Sequence, residues 1–282
     1  MSEAAVNTRF LGLKDVKVHV GDTGGTGRPV VLIHGWPLNA DSWAEQKPAL
    51  AQAGYRVVSY DRRGFGRSDK PGGGYDYDTL ADDLAGLLEE LDLRDVTLVG
   101  FSMGGGEVAR YIARHGQERL HSVVFAGAVT PMMMKSEDNP DGPLDEATAQ
   151  EMSSQLEADP EAFFDQFTRE FFSAAGTTEP LVSEDVRQQA IEQSRQADKS
   201  AALKAMEAFG TSDFREDLKA ITVPTLVLHG SADATVPFEG SGQRTHAAVP
   251  HSQLRVIDGA PHGFNASHAE EFNSALTQFL SE

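Results

Sequence analysis

One serine in this sequence stands in a setting that could make it a nucleophile: Gly100-Phe101-Ser102-Met103-Gly104. An apolar run, Val96 to Val99, comes just before it, and a helix-like segment, Gly104 to Arg114, just after. Gly-x-Ser-x-Gly between a strand and a helix forms a turn too tight for side chains at the flanking positions, which lifts the serine oxygen above the sheet. The start of a helix at that point favours developing negative charge. Such a serine attacks carbonyl carbon, provided that a base removes its proton.

Nine histidines are available as that base. His262, in Gly259-Ala260-Pro261-His262-Gly263, follows the last strand-like run, where the active groups of an open α/β sheet gather. The acid that orients the base belongs after an earlier strand, between nucleophile and histidine in chain order. Asp233 meets that condition, following Leu226-Val227-Leu228-His229-Gly230-Ser231-Ala232, with one helix and one strand between it and His262. Asp258 is the competitor and reads as a strand-end or capping residue. Nothing acidic lies between Ala126 and Met134, the other loop where such an acid commonly stands.

The oxyanion formed by attack needs two backbone donors. One is the amide of Met103, next after the serine. The other comes from His34-Gly35-Trp36-Pro37, where Trp36 is the candidate because Pro37 has no N–H. Pro37 also restricts the backbone of Trp36. The remaining histidines read as structural. His34 and His229 precede glycines at strand ends and are placed to hold neighbouring loops. His115 suits a helix C-terminus, and His19, His121, His246, His251 and His268 carry no partner pattern.

These groups need a scaffold, and the apolar pattern describes one. Short alternating stretches at Arg9–Leu13 and Val16–Val20 read as edge strands joined by tight turns. From there, strands at Val30–Ile33, Tyr55–Tyr60, Val96–Val99 and Val123–Ala126 alternate with helices at Asp41–Ala53, Thr79–Leu91 and Gly104–Arg114. Between Thr130 and about Asp213 no strand-like run occurs. That stretch reads as helices near Asp145–Leu156, Pro160–Phe172, Glu184–Arg195 and Ser200–Phe209. Alternation then resumes with strand Thr225–Leu228, helix Phe238–Ala248, strand Leu254–Ile257 and a final helix from about Ser267 to Leu280. The expected class is α/β, a mostly parallel central sheet with helices on both faces. Residues 1–129 and 214–282 are expected to form the core and 130–213 a helical cap inserted into it.

An apolar pocket for an acyl group is expected beside Ser102. Trp36, Phe101, Met103, Val236 and Phe264 flank the reacting positions, while Phe163, Phe167 and Phe209 reach in from the cap or pack its core. The Met132–Met134 run lines the mouth of that pocket or serves as adaptable packing.

Composition narrows the function classes. With 40% hydrophobic and 24% charged residues, the 282-residue chain falls in the globular range. A net charge of −19 argues against nucleic acid or an anionic membrane as partner. Part of that charge is local, with ten acidic residues and no lysine or arginine from Ser136 to Asp165. It reads as a solvated acidic face, with salt adaptation left open. No run of about 18 apolar residues occurs. The absence of cysteine rules out a disulfide framework, and the cytoplasm is the default location. No metal, nucleotide or dinucleotide motif is present, so neither cofactor nor metal is expected. A small-molecule substrate is the expected partner, and nothing excludes a homo-oligomer.

Several segments together resemble one family. They are His34–Trp43, Tyr60–Lys70, Tyr75–Leu80, Leu91–His115, Thr211–Leu218, Val223–Asp233 and Gly259–Gly263. They are similar to the cofactor-free, non-haem chloroperoxidases of the α/β-hydrolase superfamily, a group that includes aryl esterases, perhydrolases and a γ-lactamase. The resemblance runs from about Val30 to the C-terminus and is weakest in the cap. It implies the same assignments: Ser102 as nucleophile, Asp233 as acid, His262 as base, Trp36 and Met103 as oxyanion donors. It also implies ester hydrolysis through an acyl-serine, and formation of a peracid when peroxide replaces water. Opening of small lactones or lactams is an alternative, and a receptor that keeps the fold without turnover is another.

A serine mechanism needs no metal. Prolonged EDTA treatment is therefore expected to leave ester hydrolysis unchanged, and a loss reversed by added zinc would contradict the assignment.

Overall fold

The computed structural model describes residues 6–282. In chain order come β1 (Asn7–Gly12), β2 (Lys17–Asp22), β3 (Pro29–Ile33), α1 (Gln46–Gln52), β4 (Arg56–Tyr60), α2 (Tyr77–Glu90), β5 (Val96–Phe101), α3 (Met103–His115) and β6 (Leu120–Ala126). The segment that follows is helical: α4 (Glu146–Ala158), α5 (Pro160–Phe172), α6 (Glu184–Arg195), α7 (Lys199–Thr211) and α8 (Arg215–Lys219). The chain closes with β7 (Thr225–Gly230), α9 (Gly242–Ala248), β8 (Gln253–Ile257), α10 (Phe264–Ser267) and α11 (Ala269–Leu280).

All eight strands form one sheet in the order β1-β2-β4-β3-β5-β6-β7-β8. β1, β2 and β4 pair antiparallel, and every pairing from β4 to β8 is parallel. The central strands β5 and β7 are buried at every position, as continuous apolar runs covered on both faces should be. α1 and α11 pack together, α1 also against β4 and α11 also against β7 and β8. α2, α3, α8 and α9 form a second group, joined to the sheet through α3 and α9. Parallel pairing sends the carboxyl ends of β3, β5, β6, β7 and β8 to one edge, and a functional site of such a sheet is built there.

Local chemistry sets the start of five helices. Asp76, Asp145, Asp159, Ser183 and Asp198 each cap a helix by accepting a backbone N–H of its first turn. The helix expected over Asp41–Ala53 is broken in two. A 3-10 turn, Ala40–Trp43, is capped by Asn39, and α1 starts only at Gln46. Pro48 is the cause: in a continuous helix its ring would collide with the carbonyl of Ala44, whereas it is tolerated in a first turn. The last helix, α11, runs undivided as expected, with the short α10 just before it. β1 is an edge strand, but β2 is not, because its far side pairs with β4 and its valines are fully buried. α8 was absent from the sequence pattern. Among the described residues no helix is long and apolar enough to cross a membrane.

Arg63, just past β4, ties three of these pieces together. Its guanidinium donates to both oxygens of Asp83 on α2, at 2.5 and 2.7 Å, and to Asp15 between β1 and β2 at 2.8 Å. Arg63 and Asp83 are both buried. Removing one member of a buried pair leaves an uncompensated charge. Arg63→Ala is expected to lower unfolding stability by about 3 kcal/mol, read from the urea midpoint. Arg63→Ala/Asp83→Ala should lose less than the sum of the single changes.

Candidate active site

Ser102 follows β5 with φ 54° and ψ −117°, a strained conformation for a residue with a side chain. Such strain costs on the order of 1–3 kcal/mol and needs surroundings that enforce it. Those surroundings are backbone. The Ser102 N–H donates to the Ala126 carbonyl at 2.9 Å, and the Ser102 carbonyl accepts from Gly105 and Val129. Both flanking glycines are sterically required. A methyl on Gly100 would sit 2.5 Å from the Gly104 carbonyl oxygen, and one on Gly104 would sit 2.6 Å from that of Ile33.

Ser102 Oγ lies 2.9 Å from His262 Nε2, and His262 Nδ1 lies 2.6 Å from Asp233 Oδ2. Carboxylate oxygen can only accept, so Nδ1 carries a proton and Nε2 is free to receive the one on Ser102. The three side chains come from loops after β5, β7 and β8. They are nearly enclosed, at 7%, 5% and 2% exposure for Ser102, Asp233 and His262. Burial alone would raise the Asp233 carboxyl, but His262 and then His229 outweigh it and hold its pKa down to about 2. Its other oxygen accepts from the amides of Thr235 and Val236 at 3.0 and 2.7 Å. The acid is thus kept anionic and fixed in direction. Asp258 does not compete for that place; it accepts from Ser231 Oγ at 3.1 Å.

Met103 is the first residue of α3, and Trp36 follows the end of β3. Among the described residues neither amide has a backbone acceptor, which leaves both N–H groups available. The Trp36 indole is anchored by a bond from Nε1 to the Ala202 carbonyl at 2.9 Å.

The sequence profile described as the alpha/beta hydrolase fold matches residues 28–269. The chain belongs to the α/β-hydrolase family. It is 43% identical to the non-haem chloroperoxidase of Kitasatospora aureofaciens, over 92% of this chain and 94% of that one. With the bifunctional esterase/perhydrolase of Acinetobacter calcoaceticus it shares 37% identity, over 96% and 99% of the two chains. A bromoperoxidase structure from Bacillus anthracis superposes with a TM-score of 0.94 at 51% identity, covering 99% of this chain and 100% of that one. Within the α/β hydrolases the chain therefore belongs with the non-haem haloperoxidases and perhydrolases.

The residues expected to form an acyl pocket divide into groups in this α/β hydrolase. Trp36 is the meeting point of Phe163, Phe167 and Phe209, with ring centroids 6.0, 5.4 and 5.7 Å away, so the helical insertion does reach the β3 loop. Phe101 lies 5.2 Å from the His262 ring. Val236 contributes its amide to Asp233, and its side chain is buried in the apolar core. Phe264 is fully buried against Phe101 and Phe272 and packs the floor behind His262. Met134 lines a pocket of about 640 Å³ with Leu144, Met152, Leu203, Met206 and Phe209. A polar cleft of about 1160 Å³ between the α1 region and α6 contains none of the reacting groups.

Two neighbours escaped the sequence pattern. Phe171, at the end of α5, sets its ring edge-on to His262 at 5.2 Å and 90°, and its carbonyl accepts the Gly263 N–H at 2.7 Å. A phenylalanine among five in one amphipathic helix carries no signal for that contact. His229 does hold a loop, donating from Nε2 to the Val236 carbonyl at 2.8 Å, and it also stands 3.4 Å from Asp233. Histidines without a visible partner pattern have partners from elsewhere in the chain, such as His121 with Asp95 and His251 with the Val223 carbonyl.

Asp233→Asn keeps the shape of the side chain but favours the wrong tautomer of His262. It is expected to lower kcat by roughly 10³- to 10⁴-fold in ester hydrolysis. Asp258→Asn should be nearly silent, and the reverse pattern would exchange the two assignments.

Proposed function

We propose that this protein is a serine-dependent acyl-transfer hydrolase of small carboxylic esters that also performs perhydrolysis. The observation carrying this reading is the unbroken hydrogen-bonded chain from Ser102 through His262 to Asp233, held almost out of solvent. Ser102 Oγ attacks the ester carbonyl while its proton passes to His262 Nε2, and the Met103 and Trp36 amides receive the oxyanion. Collapse expels the alcohol, which takes the proton from His262 and leaves an acyl-serine. Asp233 stays ionised and stabilises the imidazolium throughout.

The acyl-serine then meets a second nucleophile. Water gives the carboxylic acid, with His262 accepting the proton and returning it to Ser102. Hydrogen peroxide by the same route gives the peracid, which oxidises halide in solution to hypohalous acid and leaves the carboxylate. The names of the chloroperoxidase and esterase/perhydrolase relatives support both branches. Trp36, Phe163, Phe167 and Phe209 are read as the apolar wall for the acyl group, and residues 130–213 as the cap that supplies it. The cytoplasm is taken as the place of action on a small-molecule ester, since a chain without cysteine has no disulfide that would need an oxidising compartment.

Hydrogen peroxide with acetate is expected to yield peracetic acid, and halogenation of monochlorodimedone should follow only when a carboxylic acid is present. Both should vanish in Ser102→Ala, along with ester hydrolysis, the last by on the order of 10⁴- to 10⁶-fold in kcat. Absence of peracid would leave a plain esterase. Halogenation in a carboxylate-free buffer would require a different mechanism.

A further inference from the structure

The Trp36 N–H belongs to the same peptide unit as the Gly35 carbonyl. The cis peptides in this region and beyond are Trp36–Pro37 and Thr130–Pro131, so the Gly35–Trp36 unit is trans. In a trans peptide the C=O and N–H lie in one rigid plane and point in opposite directions within it. Whatever fixes the Gly35 oxygen therefore aims the Trp36 hydrogen. This plane passes very close to the nucleophile: a methyl on Gly35 would lie 3.1 Å from Ser102 Cβ and 2.8 Å from the Phe101 ring.

Two groups hold the Gly35 oxygen. The Leu38 amide donates to it at 3.1 Å, and His34 Nδ1 lies 2.8 Å away. A carbonyl can only accept, so Nδ1 bears the ring proton. On the other side of the ring, Nε2 accepts the Arg62 backbone N–H at 3.0 Å and must be bare. Both contacts demand the same neutral tautomer. His34 is completely buried. Burial, and then the Arg62 guanidinium with Nη1 3.4 Å from Nδ1, keep it neutral, with its pKa pushed down to about 3.

Arg62 extends the brace. Its Nη2 donates to the His34 carbonyl at 2.8 Å and its Nε to Glu107 Oε2 at 2.8 Å, while Tyr60 donates its hydroxyl to Glu107 Oε1. Glu107 lies on α3, the helix that begins with Met103. One buried network thus joins the segment carrying the Trp36 amide to the helix carrying the Met103 amide.

We propose that His34 is a positioning residue for the oxyanion site, whose Nδ1–H bond to the Gly35 carbonyl aims and polarises the Trp36 N–H. The proposal rests on Ser102 and Trp36 having the roles given above. A donor on the carbonyl strengthens the amide N–H of the same peptide, because hydrogen bonds in a chain polarise one another. That gain acts on the oxyanion and only weakly on the ground-state ester, so it falls on kcat and not on KM.

The test compares His34→Ala, His34→Asn and His34→Gln, using kcat and KM for p-nitrophenyl acetate and affinity for a trifluoromethyl ketone that adds to serine. Asparagine offers an N–H near the place of Nδ1, whereas glutamine reaches the place of Nε2. His34→Ala and His34→Gln are expected to lose about 10- to 100-fold in kcat with KM within about twofold, and to lose ketone affinity in proportion. His34→Asn should recover most of both. Equal behaviour of the Asn and Gln variants, or a fall in kcat with unchanged ketone affinity, would reduce His34 to packing and overturn the proposal. Nitrogen-15 NMR of the wild-type protein gives a check independent of folding in the variants. A bare Nε2 and protonated Nδ1 at His34 are expected, and the opposite tautomer would refute it. Failure of the wild type to bind the ketone or to label with a fluorophosphonate would instead refute the serine reading itself.

Discussion

At the carboxyl edge of the sheet, the turn after β5 and the end of β3 approach so closely that backbone meets backbone. Gly104 rests against the Ile33 carbonyl and Gly100 against the Gly104 carbonyl, while Gly35 lies against the side chains of Phe101 and Ser102. No side chain fits at any of those three positions. This contact holds Ser102 in its strained conformation, where the segment carrying the Trp36 amide meets the start of the helix carrying the Met103 amide. A site assembled from backbone in this way is rigid before substrate arrives, which is what oxyanion stabilisation requires. The serine, in turn, meets His262 from the loop after β8 at 2.9 Å.

Charge is distributed to serve that rigidity. The chain is strongly acidic as a whole, yet two ion pairs close to the end of β4 are buried: Arg62 with Glu107 and Arg63 with Asp83. Replacing such pairs by apolar residues is often neutral or favourable to stability, so they are weak evidence for a stabilising role. Here each joins elements distant in sequence and fixes their relative placement. Asp233 is a buried carboxylate of a different kind, satisfied by His262, His229 and two loop amides. Its low pKa leaves the imidazolium of the reaction with a permanent counter-charge.

The apolar side of the site comes from far along the chain. Phe163, Phe167 and Phe209 surround Trp36, and Phe171 steadies His262 by ring contact and by the Phe171–Gly263 backbone bond. The Ala175 amide also donates to Ala232, beside Asp233. The end of α5 is therefore fastened to the loops of both base and acid. The Met134–Phe209 pocket borders the same aromatic group through Phe209.

By itself the sequence determined the strand–helix alternation, the elbow at Ser102, and the order of serine, aspartate and histidine along the chain. Each of these is local: an apolar period, a glycine spacing, a loop directly after a strand. The break at Pro48 was equally local, since a proline collides with the carbonyl four residues before it. Only the tertiary structure decided that β2 is an interior strand, that Phe171 lies on His262, and that His34, Arg62 and Glu107 form one network. Those contacts join residues 28 and 45 positions apart for the Arg62 bonds to His34 and Glu107, through side chains whose types recur elsewhere in the chain. The folded sheet selects them because parallel strands carry every loop that follows them to the same edge, whatever the distance in sequence.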